Sequence, residues 1–230
     1  MKTAPMSRIG FPVLRSALHM FRDRRGVAAI EFAIILPIML VMFFGVVEFS
    51  SGVAVDRKVT LVARTLSDLT SQAQSSAPQA QYAKVTDSDL QNVFSASISI
   101  LQPYSAVPIT NATVSEIYID VNGKATIQWS ESATISSDSA TQATLTASTR
   151  QPNDVVTSLV PPTLLTPHTY LIWSEVKYLY TPTVGYVMKA AVTLSDVAFT
   201  RPRQVICLTY PTNSTLPALT NAGTTCPLTP

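Results

Sequence analysis

The feature that most constrains this chain is the run Val27–Val47, VAAIEFAIILPIMLVMFFGVV, in which Glu31 is the only charge among 21 residues. At ~1.5 Å per residue, a helix over this run is about 31 Å long and matches a hydrocarbon core of ~30 Å. A helix apolar on every side could also be a core helix, but the domain around it would have to enclose it completely. The run therefore predicts a transmembrane helix. It also accounts for a positive mean hydropathy of +0.25 in a chain with only 13% charged residues.

Charge placement predicts the topology. Lys2, Arg8, Arg15, Arg22, Arg24 and Arg25 precede the run with Asp23 as the one acid, so residues 1–26 carry +5 and the remainder −3. A basic flank stays cytoplasmic, which sends the C-terminal part across the membrane. A cleaved secretory signal would have an apolar region of roughly 7–15 residues ending at small side chains. Here the run is longer, and Glu48-Phe49 follows it. The near-balanced total of +2 argues against a nucleic-acid partner. Two His and two Cys exclude a dense zinc site or a disulfide-rich scaffold.

The junction Arg24-Arg25-Gly26 followed by Val27-Ala28-Ala29-Ile30-Glu31-Phe32 resembles the cleavage site of type IV pilin-like precursors. The resemblance implies a prepilin peptidase cutting after Gly26 on the cytoplasmic side, with Val27 as the new N-terminus and Glu31 as the acid at the fifth mature position. The pair Glu31-Phe32 is similar to the Glu-Tyr/Phe pair of the Flp (tight adherence) branch. Met20 offers an alternative start with the shorter leader MFRDRRG. Further on, Glu175–Pro182 and Phe199–Arg203 are similar to the C-terminal part of TadE/TadG-type proteins, so the resemblance spans about residues 20–205. The length resembles the short TadE-like members. A TadG-like protein would add a von Willebrand A-type domain with an Asp-x-Ser-x-Ser metal site, and that motif does not occur in this sequence.

The resemblance implies a minor pilin or pseudopilin that acts in pilus assembly and surface adherence without catalysis, metal or cofactor. Its partners would be the prepilin peptidase, other pilins through the N-terminal helix, the inner-membrane assembly platform and membrane lipid. It would sit in the bacterial inner membrane as a single pass with its C-terminal domain in the periplasm. Physical chemistry supports a role for Glu31. A carboxylate at the centre of a bilayer helix costs ~2.5–3.5 kcal/mol on insertion scales, and such residues usually have a partner. Cleavage at Gly26 would leave an α-amino group at Val27, four residues from Glu31 and on the same helical face. The family implies pairing of that amine with Glu31 of a neighbouring subunit; the plainer reading is a Glu that snorkels to the interface.

Beyond the span, Val55, Val59, Val62, Leu66 and Leu69 recur at spacings of 4, 3, 4 and 3, a heptad seam that fits either packing on the chain's own domain or on a partner. The fold class expected is α+β: a long transmembrane-plus-stem helix carrying a small exported domain with an antiparallel β-sheet. The segments are residues 1–26 (leader), 27–47 (span), 48–72 (amphipathic stem), 73–206 (exported domain) and 207–230 (tail). Pro37 would kink the span. Ser88-Asp89-Leu90-Gln91 has capping-box spacing, and Leu90, Val93, Phe94, Ile98 and Leu101 form the apolar face behind it. Asn122-Gly123, between Val114–Val121 and Lys124–Ser130, predicts a type I′ hairpin. Residues 132–149 read as an exposed loop or a strand pair, the loop preferred; 153–165 as a short helix; 169–180 as a strand; and 185–200 as a strand with a helix as the alternative.

Cys207 and Cys226 lie on the exported side, where an oxidising periplasm favours pairing. A bridge there would be worth ~3 kcal/mol on the loop-entropy model. Two other classes of function compete: an uncleaved single-pass protein whose exported domain binds a ligand or cell-wall polymer, and a membrane-tethered hydrolase. The hydrolase is disfavoured because His168 is the only His after the span and has no acid beside it in sequence.

Overall fold

The computed structural model describes residues 26–75, 81–182, 190–210 and Cys226. The chain divides into a unit ending at Val47 and one beginning at Glu48. Its first element is α1, Val27–Ser71, which contains Pro37 without ending there. The expectation of a second, shorter helix is met by α2, Asp87–Leu101. The strands are β1 (Tyr82–Lys84), β2 (Ile109–Ile119), β3 (Ala125–Thr134), β4 (Thr144–Ala147), β5 (Thr169–Tyr180), β6 (Val192–Thr200) and β7 (Cys207–Thr209). β2 to β6 form an antiparallel sheet in the order β4-β3-β2-β5-β6, while β1 and β7 make a separate parallel pair. The class is α+β, with a long N-terminal apolar helix followed by a domain built on an antiparallel sheet.

Both faces of the sheet are buried, which the alternation of β5 shows directly. Ile172, Val176, Tyr178 and Tyr180 join a core with Val55, Val59, Val62, Ala63 and Leu66 of α1 and Leu90, Phe94 and Leu101 of α2. Leu171 and Trp173, one residue out of phase, join Ile117, Ile119, Ala125, Ile127, Val156 and Val160 on the opposite face. In β3 a bulge makes the switch. Glu116 pairs with Trp129 but Ile117 pairs with Ile127, leaving Gln128 as the extra residue. Odd-numbered side chains before it (Ala125, Ile127) therefore face one core and those after it (Trp129, Ala133) the other.

The stem of α1 is buried along Val55, Val59, Val62, Ala63, Leu66, Ser67, Thr70 and Ser71. The heptad seam predicts Leu69 in this stripe, yet Leu69 is 37% exposed and Thr70 takes its place. A straight helix advances 3.6 residues per turn, so its contact line drifts off a 3.5-residue seam. The apolar pattern is used on the chain's own sheet. Ser174 Oγ donates to the carbonyl of Ala63, and Lys58 Nζ donates to the carbonyls of Ile100 (2.7 Å) and Gln102 (2.6 Å) at the end of α2, where a cation is favoured.

Several local expectations are corrected. α2 is capped by Thr86, not Ser88: the Asp89 N–H donates to Thr86 Oγ1 and the Thr86 N–H donates to Asp89 Oδ2 at 2.9 Å. Ser88 and Gln91 have the right spacing, but Thr86 with Asp89 has the same spacing one half-turn earlier. The β2–β3 connection is not type I′, because Gly123 alone in it has positive φ (76°). Asp120 accepts from the Gly123 N–H and donates to the Lys124 carbonyl, both at 3.0 Å, the pattern of a turn closed by a glycine bulge. Residues 132–149 are not a loop throughout, since β3 runs to Thr134 and β4 pairs with it. Residues 153–165 do not form an α-helix. Their first part lies along β3, with Asn153 N–H on the Ile127 carbonyl (2.8 Å) and Val156 N–H on the Ala125 carbonyl (2.9 Å); only Pro162–Leu164 makes a 3₁₀ turn. The strand expected over 169–180 is β5, and that over 185–200 is seen as β6, residues 183–189 lying outside the described residues. Residues 207–209, expected in the tail, instead form β7.

Truncating a stripe residue should separate the two sides of the stem. Leu66→Ala should cost about 2–5 kcal/mol by leaving a cavity against the sheet, whereas Leu61→Ala, at a side chain 51% exposed, should stay within about 0.5 kcal/mol. Urea unfolding of the detergent-solubilised chain measures both.

Candidate functional site

Residues 26–32 begin α1, and their surroundings are simple. Val27, Ile30 and Phe32 are exposed by 49%, 63% and 62%, and Glu31 is exposed as well. The same holds along the helix through Val47, with only Gly45 partly covered. A contiguous surface carrying Ile34, Ile35, Leu36, Ile38, Met39 and Leu40 is exposed among the described residues. Exposed apolar area on that scale marks contact with lipid or with another protein. The helix is long and apolar enough to cross a membrane. Helical spacing puts Val27 and Glu31 on one face, as expected from their positions.

Gly26 is informative for what does not constrain it. A β-carbon there would meet nothing within 4 Å, and the residue does not have the positive φ that Gly123 has. Neither close packing nor backbone conformation within this chain calls for glycine at position 26. At Gly52 a β-carbon would instead lie 3.5 Å from the Tyr180 ring.

The structure brings together residues whose pairing the sequence does not signal. Glu48, at the end of the apolar run, is 3% exposed and accepts a hydrogen bond of 2.7 Å from the Tyr180 hydroxyl. Burial and the neighbouring carboxylate push the Tyr180 phenol up to about 12. Arg150 makes two parallel bonds to Glu175, Nε to Oε2 at 3.0 Å and Nη2 to Oε1 at 2.7 Å, while its guanidinium sits 4.4 Å from the Trp173 ring centroid. Cys207 and Cys226 are placed together, with Cα atoms 6.2 Å apart. His168 is exposed and its ring lies 3.4 Å from the Tyr118 hydroxyl.

Among the described residues no cluster of three His, Cys, Asp or Glu is arranged to hold a metal ion. A groove of about 760 Å³ beside Tyr104 is lined by Ile98, Gln102, Ser105, Ser137 and Asp138 among others, and Ser105 donates to Asp138. The arrangement is a hydroxyl held by an exposed carboxylate, without a histidine in the lining.

Residues 26–67 match the family model described as TadE-like protein. Over that stretch this chain is similar to the TadE-like family. The match covers the exposed apolar part of α1 and most of its buried stem, and ends before the sheet begins. No curated protein matches the chain, and no solved structure matches it.

The Glu48–Tyr180 contact can be tested directly. Tyr180→Phe removes one donor to a buried carboxyl and should destabilise the domain by about 1–3 kcal/mol, read as a lower thermal midpoint. Tyr82→Phe, at a ring 49% exposed, should leave the midpoint unchanged.

Proposed function

We propose that this protein is a TadE-like minor pilin or pseudopilin of a Flp (tight adherence) pilus system. The observation that carries the reading is the coincidence of the TadE-like match at residues 26–67 with a helix long and apolar enough to cross a membrane, exposed along residues 27–44. The chain would lie in the bacterial inner membrane as a single pass, N-terminus cytoplasmic and residues from 48 onward periplasmic. Its leader, residues 1–26, would be removed by a prepilin peptidase after Gly26. That glycine meets no demand of its own chain, which supports a demand made by a processing enzyme.

In this reading the chemistry is assembly, not catalysis. The new Val27 amine of one subunit pairs with Glu31 of a neighbour, where low dielectric strengthens an ion pair and penalises either charge alone. Phe32 and the apolar side chains around it pack against other pilins or lipid, with contacts to the assembly platform at the membrane. Outside it, the domain is braced by a Cys207–Cys226 bridge that pins the C-terminal segment to β7. The protein thereby contributes to pilus assembly and surface adherence.

Mass spectrometry of the membrane-extracted chain tests the processing step. With a prepilin peptidase present, the mature N-terminus should be Val27, and Gly26→Ala should leave the leader attached. An intact N-terminus in peptidase-positive cells overturns the proposal and favours an uncleaved single-pass protein whose exported domain binds a ligand or cell-wall polymer. Glu31→Ala should be cleaved normally yet assemble poorly; pili in normal number would remove the role assigned to Glu31.

A further inference from the structure

β7 docks at a place built from acids and aromatic rings, with no base among the side chains that hold Leu208 and Tyr210 among the described residues. Both backbone groups of Leu208 are held. Its N–H donates to Glu116 Oε1 at 2.6 Å, and its carbonyl accepts from Trp129 Nε1 at 3.0 Å, a nitrogen that also lies 3.0 Å from Glu116 Oε2. Tyr210 rests against Trp129 with ring centroids 5.6 Å apart, and its hydroxyl donates to Asp87 Oδ1 at the start of α2. Glu131 follows Trp129 on the same face of β3. It is fully buried, and neither of its carboxyl oxygens has a hydrogen-bond partner among the described residues. β7 itself has only three ladder pairs, all with β1, so its docking depends on these side chains.

The charged and titratable surroundings are one-sided. β5 contributes Tyr170 beside Glu116, α2 contributes Asp87 beside Glu131, and β7 contributes Tyr210, which both Glu131 and Asp87 act on. Lys84 of β1 is exposed. The two ion pairs among the described residues, Arg150–Glu175 and Arg203–Asp68, use neither carboxyl.

We propose that Cys207–Tyr210 is a pH-operated latch, docked while Glu116 and Glu131 carry protons and released as they lose them. A buried carboxyl with neither a cation nor a hydrogen-bond donor among the described residues, as at Glu131, favours the neutral acid. Burial pushes both groups up from 4.5 to about 8; at Glu116 it outweighs the bonds from the Leu208 N–H and Trp129, which favour the carboxylate, and at Glu131 the carboxylate of Asp87 adds to it. The sign follows from linkage. With the docked acids binding protons more tightly than the solvated ones, docking is strongest below pH 4.5 and weakens as pH rises toward 8. Each group shifts the docked-to-undocked ratio by about tenfold per pH unit in that window. Undocking solvates the two carboxylates and uncovers Trp129, leaving the two helices and β2–β6 in place.

Trp129 makes the test direct, because Trp173, the other tryptophan, lies on the opposite face of the sheet and gives a constant background. Acrylamide quenching of the full chain in detergent should rise reversibly between pH 5 and pH 9.5 while far-UV circular dichroism stays nearly unchanged. Trp129→Phe should remove the response. Glu131→Gln should leave a shallower transition of one proton, and Glu116→Gln with Glu131→Gln together should abolish it. Quenching that is flat with pH in the parent chain, or unchanged in the double variant, overturns the latch. So does loss of the circular dichroism signal at the same pH, because then the domain and not the strand responds.

Discussion

The packing of Val55, Val59, Val62, Ala63 and Leu66 onto the sheet is the contact on which the rest of the structure depends. α1 is one helix with two surroundings: side chains of residues 27–47 are exposed, and the stripe from Val55 to Ser71 is buried. A sheet with one bare apolar face would not be stable in water, and the stem supplies part of its cover. α2 completes that cover, and Lys58 ties its end to the stem. A change on the buried stripe therefore acts on the whole domain, while a change in residues 27–44 acts on side chains that are exposed.

The second organising device is the bulge at Gln128. It lets β3 present Ile127 to one core and Trp129 to the other, so the central strands β2, β3 and β5 build two cores at once. The outer core is closed by the segment around Val156 and Val160, whose backbone bonds to the edge of β3. That segment cannot be helical because its amide and carbonyl groups are already committed to the strand. The inner core, in turn, brings Trp129 against Glu116 and Leu208, which is how a three-residue strand near the C-terminus becomes part of the domain.

Polar side chains at buried positions follow the same logic. Hydroxyls pair with one another across neighbouring strands, Thr113 with Ser132, and Ser115 with Ser130 and then Ser148, each at 2.7 Å. This gives these Ser and Thr a structural use in a sparsely charged chain, since small hydroxyls can satisfy each other inside a sheet without the desolvation cost of ions. Where acids are buried they are paired or hydrogen-bonded, Glu175 by Arg150 and Glu48 by Tyr180, or pushed up by burial, as at Glu116 and Glu131.

By itself the sequence determined the N-terminal helix, the α+β class, β5 and the stem. Each rests on a local or periodic signal: apolar length for the span, heptad spacing for the stem, Pro-bounded β-branched and aromatic residues for β5. The junction at Gly26, Val27, Glu31 and Phe32 is read from adjacent residues alone and enters as part of the proposed function. Tertiary structure decided what depends on partners distant in sequence. The shift from Leu69 to Thr70 follows from packing on a sheet, β4 and residues 153–156 from the open edge of β3, and the burial of Glu48, Glu116 and Glu131 from strands that arrive 13 to 132 residues away. No local pattern distinguishes an acid that will face water from one that a later strand will cover, because desolvation belongs to the assembled fold and not to the residue.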